Sequence, residues 1–323
     1  MKAIQIENDT LRWVETAVPP LRRGEVLIEV HATAVNRADL SQRRGKYPPP
    51  RGESEILGLE CAGVVVEIGE GVPASKLGNR VCALLSGGGY AEYVTVPSSQ
   101  AVRIPKGLDF SQATALPEVF ATAFLNLFLE AQLSAGESVL LHAGASGVGT
   151  AAIQLCREFK NTCYVTTGSE EKIEYCLSLG AENGSVRTQT NFADRVLEWT
   201  VGRGADVILD PVGGSYLEDN LRCLATDGRL VVIGLMGGGS ATVPLRPLMV
   251  KRQRIIGSTL RARTIAKKAK IMTELERKVW PLIDAGSIKP VIHSVYSIRD
   301  VEPAHELIAS NTTIGKVILQ VRR

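Results

Sequence analysis

The stretch LLHAGASGVGTAAIQL, residues 140 to 155, constrains this chain more than any other. An apolar run ends at His142, glycines and small residues follow, and an apolar pattern of helical spacing begins near Val148. The reading is a strand, a tight turn and a helix start in succession. Gly144, Gly147 and Gly149 let the backbone turn and leave it bare of Cβ atoms. Amides at the helix start point into the same space, where the helix dipole favours an anion.

Alone, such a loop is a weak signal, and its surroundings decide. Before it comes the helix EVFATAFLNLFLEAQ and the strand ESVLLHAG. After it come the helix VGTAAIQLCREFK, the strand CYVTT and the helix EEKIEYCLSLGA, then the strands ADVILD, RLVVIG and RIIGSTL. Strand and helix alternating at this length predict a doubly wound parallel sheet with helices on both faces, a Rossmann α/β domain. In that setting the loop reads as the pyrophosphate cradle of a dinucleotide, although Ser146 replaces the middle glycine of the usual G-x-G-x-x-G register.

The second strand should end about 20 residues further on, where an acidic residue grips the free 2′-hydroxyl of NAD. Here the sequence is VTTGSEEK, with Gly168 at that place, then Ser169, and Lys172 one turn into the next helix. Glycine leaves room for a 2′-phosphate, Ser169 offers a hydroxyl and Lys172 a charge. Glu170 and Glu171 suit the first turn of a helix. The pattern favours NADPH over NADH.

Residues 1 to 117 have another texture. EVLIEVHATAV (25 to 35), CAGVVVEIG (61 to 69) and YAEYVTVP (90 to 97) are short branched or alternating runs punctuated by Gly-Glu, Pro-Pro-Pro and Gly-Gly-Gly. The tail returns to it with IKPVIHSVYSI, a short helix near VEPAHELIAS, and GKVILQV. We therefore expect a nucleotide domain at 118–261 inserted in a β-rich, barrel-like domain made of 1–117 and 262–323.

Composition excludes several classes. Of 323 residues, 45% are hydrophobic and 22% charged, and the net charge is +3, so nothing calls for a nucleic acid or an anionic membrane. No apolar run approaches a membrane span and no targeting pattern opens the chain, so the expected location is cytoplasmic. The basic run 261–278 carries apolar residues near helical spacing and reads as a solvated helix. Six cysteines without a Cys-x-x-Cys pair read as buried residues of a reducing compartment. His31, His142, His293 and His305 pair with no recognisable nucleophile or carboxylate and are given structural roles.

With these features in place, NRADLSQRRGKYPPP, ILGLECAG, ALLSGGGYAEYVTVP, HAGASGVGTAAIQL, LDPVGGSYLEDN, GLMGGG and IGKVIL together resemble the zinc-independent quinone oxidoreductases. These are the zeta-crystallin-like branch of the medium-chain dehydrogenase/reductase superfamily. The likeness runs over nearly the whole chain. It implies a GroES-like β-barrel substrate domain around the Rossmann domain.

Zinc members of that superfamily place a cysteine where this chain has Asn36, a histidine where it has Leu59, and a third ligand near Glu118. Leucine cannot ligate, and a carboxylate beside an amide makes a poor zinc site, so no metal is expected. A quinone needs no Lewis acid, because it already accepts hydride readily and its product is aromatic. By resemblance Asn36 and Tyr47 line the substrate side, Asn36 donating to a quinone oxygen and Tyr47 donating or covering the ring. Asp39 is read as orienting the nearby loop. The likeness sets Ser146, Gly147 and Val148 against the pyrophosphate and Gly168, Ser169 and Lys172 at the 2′-phosphate. It puts Arg187 where relatives have a tyrosine beside that phosphate. Gly213, Gly234, Leu235 and Met236 would border the nicotinamide ribose, with Ser258, Leu260 and Arg261 near the nicotinamide. Thr313 replaces an asparagine of many relatives.

The resulting expectation is NADPH-dependent reduction of quinones by hydride transfer in an interdomain cleft. The alternatives are an NADPH-dependent reductase of α,β-unsaturated carbonyls, with Tyr47 as the visible proton donor, and a low-turnover NADPH- or RNA-binding protein of the crystallin kind. The strand RIIGSTL (254 to 260) would otherwise be an exposed edge, and a homodimer is expected through it.

Overall fold

A computed structural model describes residues 1 to 322. Met1–Ala121 and Leu260–Arg323 form one unit, and Thr122–Thr259 the other. The sequence boundaries at 117/118 and 261/262 differ from these by four and two residues. Leu260 and Arg261 accordingly lie in the first unit rather than with the nucleotide-binding segment.

The first unit starts with a hairpin, β1 (Lys2–Glu7) against β2 (Thr10–Glu15). Strands β3 (Glu25–Val35), β4 (Glu60–Ile68), β5 (Arg80–Leu84), β6 (Tyr93–Pro97) and β7 (Ala101–Arg103) follow. β3 is long enough to change partners. Its first half pairs with β6, its last residues pair with a strand from the chain's far end, and β4 runs antiparallel along its other side. Alternating side chains of these strands close a core that includes Val26, Ile28, Val30, Val65, Val81, Val94 and Val96. Branched residues suit that pleated, buried surface.

The second unit carries β8 (Ser138–Leu141), β9 (Thr162–Thr167), β10 (Asn183–Val186), β11 (Ala205–Asp210), β12 (Leu224–Val232) and β13 (Arg254–Gly257). All pairings are parallel, in the spatial order β10-β9-β8-β11-β12-β13. Strand order therefore reverses between β8 and β11, the switch point at which open α/β sheets bind ligands beyond their carboxyl ends. SVLL is buried throughout, as a central parallel strand must be. β10 and the helix Phe192–Trp199 go beyond the sequence expectation. RIIGSTL is a strand only through Gly257, so the edge is four residues long rather than seven.

The chain then returns to the first unit. β14 (Ile292–Ser297) pairs in parallel with β15 (Lys316–Gln320), and β15 lies antiparallel to the end of β3. Between them the helix Val301–Ala309 packs Val301, Ala304 and Ile308 into a second core with Ile4, Leu11, Leu57 and Tyr90. Among the described residues no helix is long and apolar enough to cross a membrane.

Candidate functional site

In the second unit, the loop after β8 is built by its own backbone. Gly144 N–H donates to Thr166 O and Ser146 N–H to Ala143 O, so the chain doubles back before the helix Gly147–Glu158. The Ser146 side chain caps that helix by accepting from Gly149 N–H at 3.1 Å. A Cβ on Gly149 would fall 2.3 Å from Gly144 O, so only glycine lets the helix start this close to the strand. The amide end of a 12-residue helix is thereby aimed beyond the sheet edge.

The other expected contacts fall along the same edge. Gly168 and Ser169 follow β9, Arg187 follows β10, Gly213 follows β11, Gly234, Leu235 and Met236 follow β12, and Ser258 follows β13. Asp210 ends β11 fully buried and ties the next turn, accepting from Val212 N–H at 2.6 Å, Gly213 N–H at 3.1 Å and Asn220 Nδ2 at 2.9 Å. His142 is held between Thr166 and Asn220, at 2.9 and 2.7 Å, and burial lowers its pKa. Its role there is structural.

At the tip of β9 the space over Gly168 is flanked by a guanidinium. A Cβ on Gly168 would lie 3.8 Å from Arg187 Cζ. Burial lowers the Lys172 pKa, and the nearby Arg187 lowers it further, so two cations crowd one corner. Ser169 starts the helix Glu170–Leu179 without its hydroxyl capping it. Gly168 thus leaves space, and Ser169, Lys172 and Arg187 present donors around it. Such a donor set suits an anion.

The first unit gathers a buried polar cluster. Glu60 opens β4 fully buried, and Lys316 opens β15 with its side chain 5% exposed; Nζ and Oε1 lie 2.7 Å apart. Asn36 sits between them, its Nδ2 donating to Glu60 Oε1 at 2.9 Å and its Oδ1 accepting from Lys316 Nζ at 2.7 Å. The second Glu60 oxygen accepts Glu118 N–H at 2.8 Å. Asp39, also buried, accepts from Asn36 N–H, Gly58 N–H and the Tyr90 hydroxyl. Burial lifts the Asp39 pKa to about 6 against those hydrogen bonds. These contacts fix the turn before β4, the orienting role read for Asp39.

Asn36 therefore spends its amide on Glu60 and Lys316. Leu59 is 2% exposed and packs in the core. Among the described residues no group of three or more His, Cys, Asp and Glu side chains could hold a metal ion. This donor set does not fit a zinc ion.

Tyr47 is half-buried, which raises its pKa, and the neighbouring Glu118 raises it further. The Arg261 guanidinium lies over its ring, 5.4 Å from the centroid. Arg261 Nε donates to Ser86 O at 2.7 Å and Nη1 to Tyr47 O at 3.3 Å, while Nη2 is buried without a partner. Lys268 donates to the Ser86 hydroxyl. Leu260 is buried beside Arg261 in sequence and carries no polar group to offer. The sequence reading missed Glu60, Lys316 and Lys268. Two of them open otherwise largely apolar strands, ECAGVVVEI and KVILQ, and a charge at the head of such a run can signal a buried partner.

A six-stranded parallel sheet with a glycine loop at its switch point, its sequence inserted between the two parts of a β-rich GroES-like unit, defines a nicotinamide-dependent medium-chain dehydrogenase/reductase. An alcohol dehydrogenase GroES-like domain model matches residues 22–106, and a zinc-binding dehydrogenase model matches 147–276. The chain is 34% identical to the quinone oxidoreductase of Rattus norvegicus over 307 residues, 94% of this chain and 92% of that one. It is 33% identical over 316 residues to highly-reducing polyketide synthase 1 of Aureobasidium melanogenum, of whose length it spans 14%. The Escherichia coli quinone oxidoreductase complexed with NADPH superimposes with a TM-score of 0.88 at 27% identity, over 99% of this chain and 100% of that one. The chain belongs to the quinone oxidoreductase family of this superfamily and is an oxidoreductase of a nicotinamide cofactor.

Proposed function

We propose that the protein reduces quinones with NADPH and without a metal ion. The observation that carries this reading is the state of the three positions at which zinc relatives place ligands. Asn36 is tied to Glu60 and Lys316, Leu59 is in the core, and Glu118 is the one carboxyl left. Substrates that need a Lewis acid to stabilise an alkoxide are poorly served by such a site. A quinone is served well.

Bound NADPH supplies hydride. The chain's own task is to hold, orient and exclude water. The helix start at Gly147 and Val148 takes the pyrophosphate, and Ser169, Lys172 and Arg187 take the 2′-phosphate. The residues after β11, β12 and β13 fix the nicotinamide end. Tyr47, stiffened by Arg261 over its ring, presents an aromatic face and a hydroxyl to the quinone. The quinone oxidoreductases of rat and Escherichia coli support the substrate class, and the NADPH complex of the latter supports the cofactor. Six buried free cysteines suit a reducing, cytoplasmic setting. A homodimer along the edge of β13, where Ile255 is exposed, completes the proposal.

Reduction of α,β-unsaturated carbonyls is the second reading. It is favoured by the Tyr47 hydroxyl beside Glu118, since an alkene needs a proton at carbon. The test follows NADPH absorbance with a small ortho-quinone, metal-stripped protein and an NADH control. Saturable NADPH loss exceeding the NADH rate is the expected result. Turnover only with an enal, or only after zinc is added, would overturn the quinone reading.

A further inference from the structure

Three neighbouring strands of the second unit end on buried polar side chains that bond to one another in a row. Asp210 ends β11, His142 follows β8, and Thr166 lies one residue from the end of β9. Asn220, fully buried on the helix Leu217–Cys223, joins the first two. Its Nδ2 donates to Asp210 Oδ2 at 2.9 Å, and its Oδ1 meets His142 Nε2 at 2.7 Å. His142 Nδ1 then meets the Thr166 hydroxyl at 2.9 Å. A carboxylate only accepts, so one charge sets the direction of every bond in the row. Asp210 turns the Asn220 amide, the amide oxygen demands a proton on His142 Nε2, and the bare Nδ1 accepts from Thr166. The rings of Phe192 and Tyr216 pack edge-on against the imidazole, 4.7 and 4.8 Å away between centroids.

Each member of the row also fixes a loop. Asp210 holds the amides of Val212 and Gly213, the Thr166 carbonyl accepts Gly144 N–H, and His142 leads directly into the glycine loop. Resting on the assignment of the cofactor to this edge of the sheet, we infer that Asn220 is a positioning residue for the nicotinamide cofactor. It sets the loop after β8 against the turn after β11, on the two sides of the switch point, and acts through those loops rather than by contact. A ligand that meets loops already in place spends less of its binding energy on ordering them. The row serves the dinucleotide and not the 2′-phosphate, so NADPH and NADH depend on it alike. The titratable groups facing Asn220 are Asp210 and His142. Cys223 donates its thiol to Asn220 O at 3.7 Å, and Tyr216 stands against the imidazole with Arg187 bearing on it. Asp194, Asp219 and Arg222 pair with one another outside the row, and Lys251 donates to the Arg222 and Leu224 carbonyls.

Nitrogen NMR of the native protein without cofactor reads the row directly. His142, found by the loss of its signals in His142→Gln, should be the neutral tautomer with its proton on Nε2. A proton on Nδ1 would overturn the inference. Calorimetry then measures the binding of NADPH and NADH. Asn220→Leu keeps a branched side chain, breaks the row, and should weaken both cofactors by a similar factor, about 10- to 100-fold. Asn220→Asp keeps the shape but sets a second carboxylate against Asp210. Repulsion favours protonation of the introduced carboxyl, which then donates to Asp210 as the amide did. Measured against native protein at the same pH, its affinity should be weak at about pH 8 and return to within about 3-fold by about pH 5.5. Should Asn220→Leu fail to fold, the native tautomer and this recovery still decide. Native affinity in Asn220→Leu, or a loss in Asn220→Asp that is the same at every pH, would overturn the positioning role and leave the cofactor assignment standing. Native protein that binds neither cofactor would overturn both.

Discussion

Lys316 Nζ stands 2.7 Å from Glu60 Oε1, with both side chains almost wholly removed from water. The pair joins a strand near the end of the chain to one in its first fifth, and Asn36 bridges the two. Removing one partner leaves a buried charge with no counterion. Lys316→Met or Glu60→Gln alone should cost about 3–5 kcal/mol. The double variant should cost clearly less than the sum of the two. Urea unfolding of the three proteins measures this, and additive losses would mean the ion pair is not coupled.

The corner at Gly168 sets a cofactor prediction. Arg187→Ala should raise the KM for NADPH roughly 10- to 100-fold, the worth of a charge-assisted hydrogen bond, and barely change that for NADH. Lys172→Ala should act in the same direction. Steady-state kinetics with both cofactors decides. Equal losses on NADPH and NADH would place the two cations away from the phosphate.

Gly149→Ala is a small change with a backbone obstacle. The new Cβ would meet Gly144 O at 2.3 Å and Ala143 O at 2.6 Å, and neither is a flexible side-chain end. The helix start must move, at a cost of about 1–3 kcal/mol by analogy with overpacked cores. NADPH binding by calorimetry should weaken at least 10-fold. Unchanged affinity would mean the loop does not hold the nucleotide.

The Glu118 carboxyl also sets a pH dependence of stability. Its folded pKa, about 8, lies above the ordinary 4.5, so between those values the folded chain binds more proton than the unfolded one. This group's contribution is therefore most favourable below pH 4.5, weakens as pH rises, and levels off above pH about 8. Measured by urea unfolding across that range, Glu118→Gln should gain stability relative to the native protein as pH goes from 5 to 8, by a few kcal/mol at most. A gap that is flat with pH would show that the carboxyl titrates normally.

Tyr47→Phe separates the two substrate readings. Quinone reduction should hold within about 3-fold, because the ring contact survives and a hydroquinone oxygen can take its proton from solvent. If the alkene is the substrate and Tyr47 its acid, the loss should be about 100-fold or more. Parallel assays with an ortho-quinone and an enal distinguish them.

Local patterns carry much of this fold. EVLIEVHATAV forms a strand over the expected eleven residues, and ADVILD over its expected six, because branched residues between turn signals have few other options. RIIGSTL stops at Gly257, where branching alone could not show the end of its pairing. The residues after each parallel strand are legible for a geometric reason, since the topology collects those loops at one edge. The polar cluster is less so. Asn36 and Glu118 are visible from the family pattern, but Glu60 and Lys316 lie 256 positions apart in sequence, and no local spacing announces their pairing. Leu260 and Arg261 follow the last parallel strand so closely that only tertiary packing assigns them to the first unit.

Strand β15 pairs with β3 across most of the chain's length, whereas all six parallel strands come from one uninterrupted segment. On the ribosome, that segment is complete while the first sheet still lacks its closing strand. Glu60 is then already made, and Lys316 is not. The nucleotide unit can fold during synthesis, but the polar cluster waits for Lys316, and until then the early half-sheet is the stretch a chaperone has most reason to cover.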